Sequence, residues 1–196
     1  MHKHVALFAA ALCGFLPIAK ASNLVTNSGF ETGDFASWTL SGANVPDNSG
    51  IYYGVDGLNP HSGTFEAYFG SVGGILELSQ TLSTVPGVSY TVTFWLAHSP
   101  ETPFPYLNSF DASFGGSTLL SQAGVPDTGY TQYSFSRLAT GTSTDLLFAF
   151  RDDTSYFSLD DVSVTPDAVP EPGSALLVLF PLTALFLGYR VRRTPR

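Results

Sequence analysis

The chain has 196 residues, with 8 basic and 16 acidic side chains and a formal net charge of −8. Lys3, Lys20, Arg190, Arg192, Arg193 and Arg196 lie in the two end segments, so between Ser22 and Pro172 only Arg137 and Arg151 stand against all 16 acids, a balance of −14. That excludes nucleic acid as a partner, because neutralising phosphates needs lysine and arginine. It also disfavours anionic partners unless a cation intervenes, and calcium, a hard cation that seeks carboxylates and carbonyls, suits such a chain.

Residues 1–21 read as a secretory signal peptide. Lys3 marks the n-region, Val5 to Ile18 the apolar h-region, and Ala19-Lys20-Ala21 the cleavage site. Export through the Sec translocon and a mature chain starting at Ser22 follow. The single cysteine, Cys13, falls inside this peptide, so the mature chain has no disulfide framework and no thiol chemistry. Residues 22–168 amount to one domain.

Within that domain the periodicity is that of strands. Leu76, Leu78 and Leu82 alternate with Glu77, Ser79 and Thr81. Val88, Tyr90, Val92, Phe94 and Leu96 fall on one face of the next run. Tyr133 and Phe135 alternate with Gln132, Ser134 and Ser136. Leu146, Phe148 and Phe150 alternate with Leu147, Ala149 and Arg151, a run apolar on both faces and so expected at a sheet centre. Leu159, Val162 and Val164 close the domain. Turn residues separate the runs at Asn27-Ser28-Gly29, Pro86-Gly87, Gly115-Gly116, Pro126-Asp127 and Gly141. No helical stripe and no fixed repeat intervenes. The pattern predicts an all-β fold, an antiparallel two-sheet β-sandwich.

Sugar recognition needs rings that stack on a pyranose and a few polar groups that read hydroxyls. The candidate rings are Tyr52, Tyr53, Phe104, Tyr106 and Tyr130, and the candidate amides are Asn48, Asn59, Asn108 and Gln122. The proline-stiffened segment Ser99 to Asn108 carries Phe104, Tyr106 and Asn108 and loses little entropy on binding; edge packing of the same rings is the alternative. Trp38 and Trp95 are expected in the core. His61 and His98, the histidines of the mature chain, have no metal spacing, and there is no G-x-S-x-G elbow, so no catalytic constellation is expected. A hydrolase would need two carboxylates facing across a cleft.

The chain ends with Pro170-Glu171-Pro172, an uncharged apolar run from Gly173 to Tyr189, and a basic tail of Arg190, Arg192, Arg193 and Arg196. As a helix the run would span roughly 25 Å, slightly short of a bilayer core of about 30 Å, with the arginines on the cytoplasmic side. An ordinary membrane anchor is one reading. The order of the three parts closely resembles the PEP-CTERM sorting signal of exported proteins in Gram-negative bacteria that make exopolysaccharide. The resemblance implies a membrane-bound intermediate, then cleavage near Pro170-Glu171-Pro172 by an exosortase. Cell-surface or matrix placement and a role in binding or structuring exopolysaccharide would follow.

A second resemblance spans the domain. Asn23-Leu24-Val25-Thr26-Asn27-Ser28-Gly29-Phe30-Glu31-Thr32-Gly33 with Trp38, then His61-Ser62-Gly63 and Ala67-Tyr68-Phe69-Gly70, then Ser79 to Val92, and finally Leu159-Asp160-Asp161-Val162-Ser163-Val164 resemble in order the motifs of galactose-binding-like jelly rolls. Among these are the family 4/9 carbohydrate-binding modules. The resemblance implies a jelly roll whose first and last strands pair, bringing Glu31 to Asp160 and Asp161, and a structural calcium there. It implies Glu31, Asp160 and Asp161 as acidic ligands, with a carbonyl at Gly29 or near Ser62, and leaves Asp56 and Glu66 open for a middle ligand. Solvent-facing acids with no ion are the alternative, as is a purely structural surface or biofilm protein without a glycan site.

Overall fold

The computed structural model describes residues 22–45, 47, 49–99, 107–153 and 155–167. Every regular element among them is a strand. In chain order they are β1 (Thr39–Gly42), β2 (Tyr53–Asp56), β3 (Glu66–Phe69), β4 (Leu76–Ser83), β5 (Ser89–His98), β6 (Asn108–Phe114), β7 (Ser117–Ala123), β8 (Thr128–Leu138), β9 (Ser143–Asp152) and β10 (Phe157–Pro166). They form two five-stranded antiparallel sheets, ordered β1-β4-β9-β6-β7 and β2-β3-β10-β5-β8. The expected jelly-roll sandwich is therefore present. The run that is apolar on both faces, β9, lies third of five, with neighbours covering both of its edges.

Alternation decides which side chains meet between the sheets. Tyr90, Val92, Phe94 and Leu96 of β5 point inward, as do Leu146, Phe148 and Phe150 of β9. Phenylalanines bridge the two layers. Phe69 stacks on Phe150 with ring centroids 4.0 Å apart and planes 8° apart. Phe94 meets Phe148 edge-on at 5.2 Å and Phe110 at 5.7 Å, and Phe157 lies 6.0 Å from Phe110. Each such pair contributes about 0.5–1.5 kcal/mol beyond the area it buries. Trp38 is buried as expected and stacks on Phe30 at 5.7 Å. Trp95 is not in the core. Its neighbours Phe94 and Leu96 take the inward positions of β5, so its ring stands on the outer face.

The opening segment has no strand of its own; two main-chain bonds, from Leu24 N–H to the Val164 carbonyl (2.9 Å) and from Val162 N–H to the Ser28 carbonyl (2.8 Å), lay it beside β10, and side-chain amides add to them. Asn23 Nδ2 donates to the Val162 carbonyl at 3.0 Å, and Asn23 Oδ1 accepts from Val164 N–H at 2.9 Å. Gln80 grips the other side: its Oε1 accepts from Thr26 N–H at 2.8 Å and its Nε2 donates to the Thr26 carbonyl at 3.0 Å. Two amides thus supplement the sparse main-chain bonds along this edge. Asn27 then folds the loop that follows, accepting from Thr32 N–H and donating to the Asp34 and Ala36 carbonyls.

No helix among the described residues is long and apolar enough to cross a membrane. The expected signal peptide (1–21), the rings Phe104 and Tyr106, the motif Pro170-Glu171-Pro172, the apolar run 173–189 and the tail residues Arg190, Arg192 and Arg193 lie outside the described residues.

Candidate functional site

The connection between β2 and β3 is held by acids from both ends of the domain. Asp160, wholly buried in β10, accepts at Oδ2 from His61 N–H (2.9 Å) and Ser62 N–H (3.1 Å), and at Oδ1 from Asp161 N–H (2.7 Å). A bulge in β10 follows Asp160, and Asp161 takes a φ of +48° there, which turns consecutive carboxylates onto one loop. Asp161 accepts from His61 Nδ1 at 2.6 Å and from Ser62 Oγ at 2.8 Å. Glu31 accepts from the N–H groups of Thr64 (2.9 Å) and Phe65 (3.1 Å). His61 in turn stacks on Trp95, centroids 3.8 Å apart, and stands edge-on to Tyr130 at 5.3 Å. Burial pushes the Asp160 carboxyl above its usual range, against the pull of the backbone donors.

The three acids expected to hold calcium are thus brought to one place. Gly29 leaves space beside them: a Cβ there would lie 3.4 Å from Asp160 Oδ1, 3.6 Å from Asp161 Oδ1 and 3.7 Å from Glu31 Cγ. The acids offer oxygen donors alone, which is calcium chemistry. Among the described residues, no three His, Cys, Asp or Glu side chains already close on one point as a bound ion requires; Glu31 is turned onto the loop amides instead.

The loop so held forms one wall of a groove of about 360 Å³ on the outer face of the second sheet. Asp56, Asn59, Glu66, Tyr68, Tyr156 and Ser158 line it. Tyr68 and Glu66 alternate with the core residues Ala67 and Phe69, so strand geometry aims them outward. Tyr68 and Tyr156 meet edge-on at 5.7 Å, and their hydroxyls are tied to the carbonyls of Gly50 (2.7 Å) and Ile51 (2.9 Å). Both rings need a glycine beneath them. A Cβ on Gly54 would overlap the Tyr68 ring, and one on Gly70 would overlap Tyr156. The exposed Leu58 adds an apolar edge.

Glu66 is 3% exposed. Its Oε1 accepts from Asn59 N–H at 3.0 Å, and its Oε2 accepts the Tyr130 hydroxyl. Burial pushes the Glu66 carboxyl above its usual range. The Tyr130 and Ser158 hydroxyls oppose that shift, and the negative charge of Asp56 adds to it. Burial first, and the Glu66 contact next, push Tyr130 far above the usual phenol range, so it stays a donor.

Sequence reasoning looked for rings in loops, and the structure distributes them differently. Tyr52 is half-buried just before β2. Tyr53 opens β2 and packs against the core beside Phe35, with its hydroxyl on the Val45 carbonyl at 2.7 Å. Asn108 is 4% exposed: its Oδ1 accepts from Val125 N–H and its Nδ2 donates to the Val125 carbonyl, beside the buried His98–Asp152 pair. Neither Tyr53 nor Asn108 reaches the groove, because each serves an internal partner. Asn59 does line the groove, and Tyr130 supports it through Glu66. Asp56 and Glu66, left open as calcium ligands, are groove residues instead. Glu66, Tyr68, Tyr156 and Ser158 were missed as a site. Their signal is the outward half of strands whose inward half is aromatic or aliphatic.

No protein-family model matches the chain, and no curated protein matches it in sequence. Solved structures do match in fold. The carbohydrate-binding module TmCBM61, solved in complex with β-1,4-galactotriose, superposes with a TM-score of 0.56 at 23% identity, over 75% of this chain and 100% of that one. A family 4 carbohydrate-binding module gives 0.51 at 16% identity, over 72% of this chain and 99% of that one. The fold is that of a carbohydrate-binding-module jelly roll. It also occurs inside a larger protein, the enzymatically active domain of tailspike protein 4 of bacteriophage CBA120, with a TM-score of 0.56 at 14% identity, over 74% of this chain but 21% of that one.

A raised carboxyl has a definite effect on stability. Glu66 binds its proton more tightly in the folded chain than in the unfolded one, so its contribution is fully present below the ordinary glutamate value of 4.5 and is lost as pH rises through the raised value. Glu66→Gln keeps the shape and cannot ionise. Wild type should therefore lose Tm relative to this variant across that window. Thermal melts of both proteins over the same pH series check this, and parallel curves would contradict it.

Proposed function

We propose that this protein is an exported, non-catalytic glycan-binding module whose site is the groove on the second sheet. The observation that carries this reading is the pair of tyrosine rings laid over Gly54 and Gly70, with Asp56, Asn59, Glu66 and Ser158 alongside. Rings held in place by their own hydroxyls offer a stacking surface at little entropic cost, and the flanking carboxylates, amide and hydroxyl can pair with sugar hydroxyls. Both Glu66 oxygens already hold protein donors, which suits orientation of a ligand better than acid–base chemistry. Phe104 and Tyr106 are further contact candidates, since Ser99 at the start of their proline-rich segment lines the groove, and so is Tyr52, close in the chain to the lining residue Gly50. Saturable retention on glycan columns, including the host's exopolysaccharide, should follow, and Tyr156→Ala should weaken it about tenfold or more. Retention that survives this substitution would move the site elsewhere. Turnover of chromogenic glycosides would favour a hydrolase.

The ends of the chain supply location in this reading. The signal peptide directs export, and the Pro170-Glu171-Pro172 motif, apolar run and arginine tail form a PEP-CTERM signal that an exosortase removes. The module is then left at the cell surface or in an exopolysaccharide matrix. Mass spectrometry of the native protein should find termini near Ser22 and Pro172. Recovery of an intact Arg196 end would support a permanent anchor.

Calcium is the structural ion we assign to Glu31, Asp160 and Asp161. When bound, it would neutralise acids that have only neutral backbone and hydroxyl donors and His61 around them. Chelation should lower Tm by several degrees, because an ion that binds only the native state stabilises it. Glu31→Gln should shrink that difference. Equal melts with and without chelator would remove the ion from the account.

A further inference from the structure

The groove carries an uncompensated negative charge. Asp56 and Glu66 are register partners across β2 and β3, which places both carboxylates on one stretch of the groove wall. The charge of Asp56 reaches its neighbours: after burial, it is the next influence raising the Tyr68 hydroxyl, and it also helps raise Glu66. No cation answers it. Arg137 and Arg151 are the arginines among the described residues, which contain no lysine. Arg151 lies in the other sheet, paired with Asp153 at 2.9 Å. Arg137 sits near the far end of β8 from Tyr130, where it donates to the carbonyls of Ser136 and Thr118.

Resting on the reading of this groove as a glycan site, we propose that it selects glycans bearing free, protonated amines, such as polymers containing de-N-acetylated hexosamine. A uronate, sulfate or pyruvate ketal would meet like charge here. A neutral sugar could satisfy the hydrogen-bonding atoms but would leave the charge of both carboxylates unanswered. An ammonium group would meet Asp56 and Glu66 at one side and the rings of Tyr68 and Tyr156 at the other. Carboxylates beside aromatic faces form a favourable site for a partly desolvated cation. The sugar ring that carries the amine would lie against the apolar surface of Tyr156 and Leu58. Asn59 and Ser158 would remain for its hydroxyls. The apolar edge and the amide favour a sugar over a bare lysine side chain.

The test is calorimetric titration of the full-length protein, held in a detergent without a sugar headgroup. The probes are a glucosamine oligomer, its fully N-acetylated counterpart of equal length, a galacto-oligosaccharide and an oligolysine, at a pH where the amine is protonated. The amino oligomer should bind at least about tenfold more tightly than the acetylated one, with an advantage that falls as salt is added. Asp56→Asn keeps an oxygen to accept Leu58 N–H, as Asp56 Oδ1 does at 2.9 Å, and should erase most of that advantage. Asp145→Asn, on the exposed face of the other sheet, should leave it intact and so controls for the general acidity of the chain. Equal or tighter binding of the acetylated oligomer, indifference to Asp56→Asn, or equal binding of oligolysine would overturn selectivity for amine-bearing glycans. If neutral glycans still bind and Tyr156→Ala still abolishes this, the glycan site stands without that selectivity. If no glycan binds, the glycan-binding reading itself falls.

Discussion

The structure turns on a carboxylate taken wholly out of water. Asp160 would be costly to bury alone. It is tolerated because three backbone N–H groups converge on it, two of them from a loop that enters from elsewhere in the chain. That exchange fixes the β2–β3 connection. Glu31 repeats it from the amino-terminal side with two more amides. The loop that becomes one wall of the groove is thereby pinned to the closing strand and to the opening segment at once. The bulge after Asp160 matters as much as the charge. Without the extra residue, Asp161 would fall on the inward face among the phenylalanines.

On this frame the groove is built from the outward half of strands whose inward half is core. Phe69 and Phe157 hold β3 and β10 against the opposite sheet, and the residues beside them in sequence, Tyr68, Tyr156 and Ser158, are presented outward. Rigidity of the site therefore follows from rigidity of the core. The tyrosine hydroxyls tied to Gly50 and Ile51 reduce what remains of side-chain freedom. The same construction explains the glycines at positions 54 and 70: they are the floor on which the rings lie.

Charge gives the groove its chemical direction. The basic residues are concentrated in the two end segments and the acids between them, so the domain offers carboxylates with few cationic partners. One group of acids is gathered at the loop clamp, where an ion is the natural counter-charge. Another lies in the groove, where a ligand can supply it. These are separate uses of one compositional bias, distinguished only by where the strands deliver the side chains.

The residues alone determined the layered β architecture, since alternation at period two leaves each strand one face to bury. Phe94 beside Trp95 shows why that legibility stops short: alternation separates two faces, and the larger ring is not always the buried one. The approach of Glu31 to Asp160 and Asp161 was readable from the order of the motifs, although the opening segment lies beside β10 by two main-chain bonds and the amides of Asn23 and Gln80 and forms no regular strand. The groove was not readable. Asp56, Asn59, Glu66, Tyr68, Tyr156 and Ser158 come from β2 with its following loop, from β3, and from β10 with the residue before it, stretches distant in the chain. They became neighbours only when antiparallel pairing set Asp56 opposite Glu66 and Ser158 opposite Tyr68. Register is a property of the assembled sheet, because it depends on which strands pair and where each one begins. Tyr53 and Asn108 make the same point in reverse: chemically suited to a sugar, they were drawn inward by the Val45 carbonyl and the backbone of Val125, partners that only the folded chain provides.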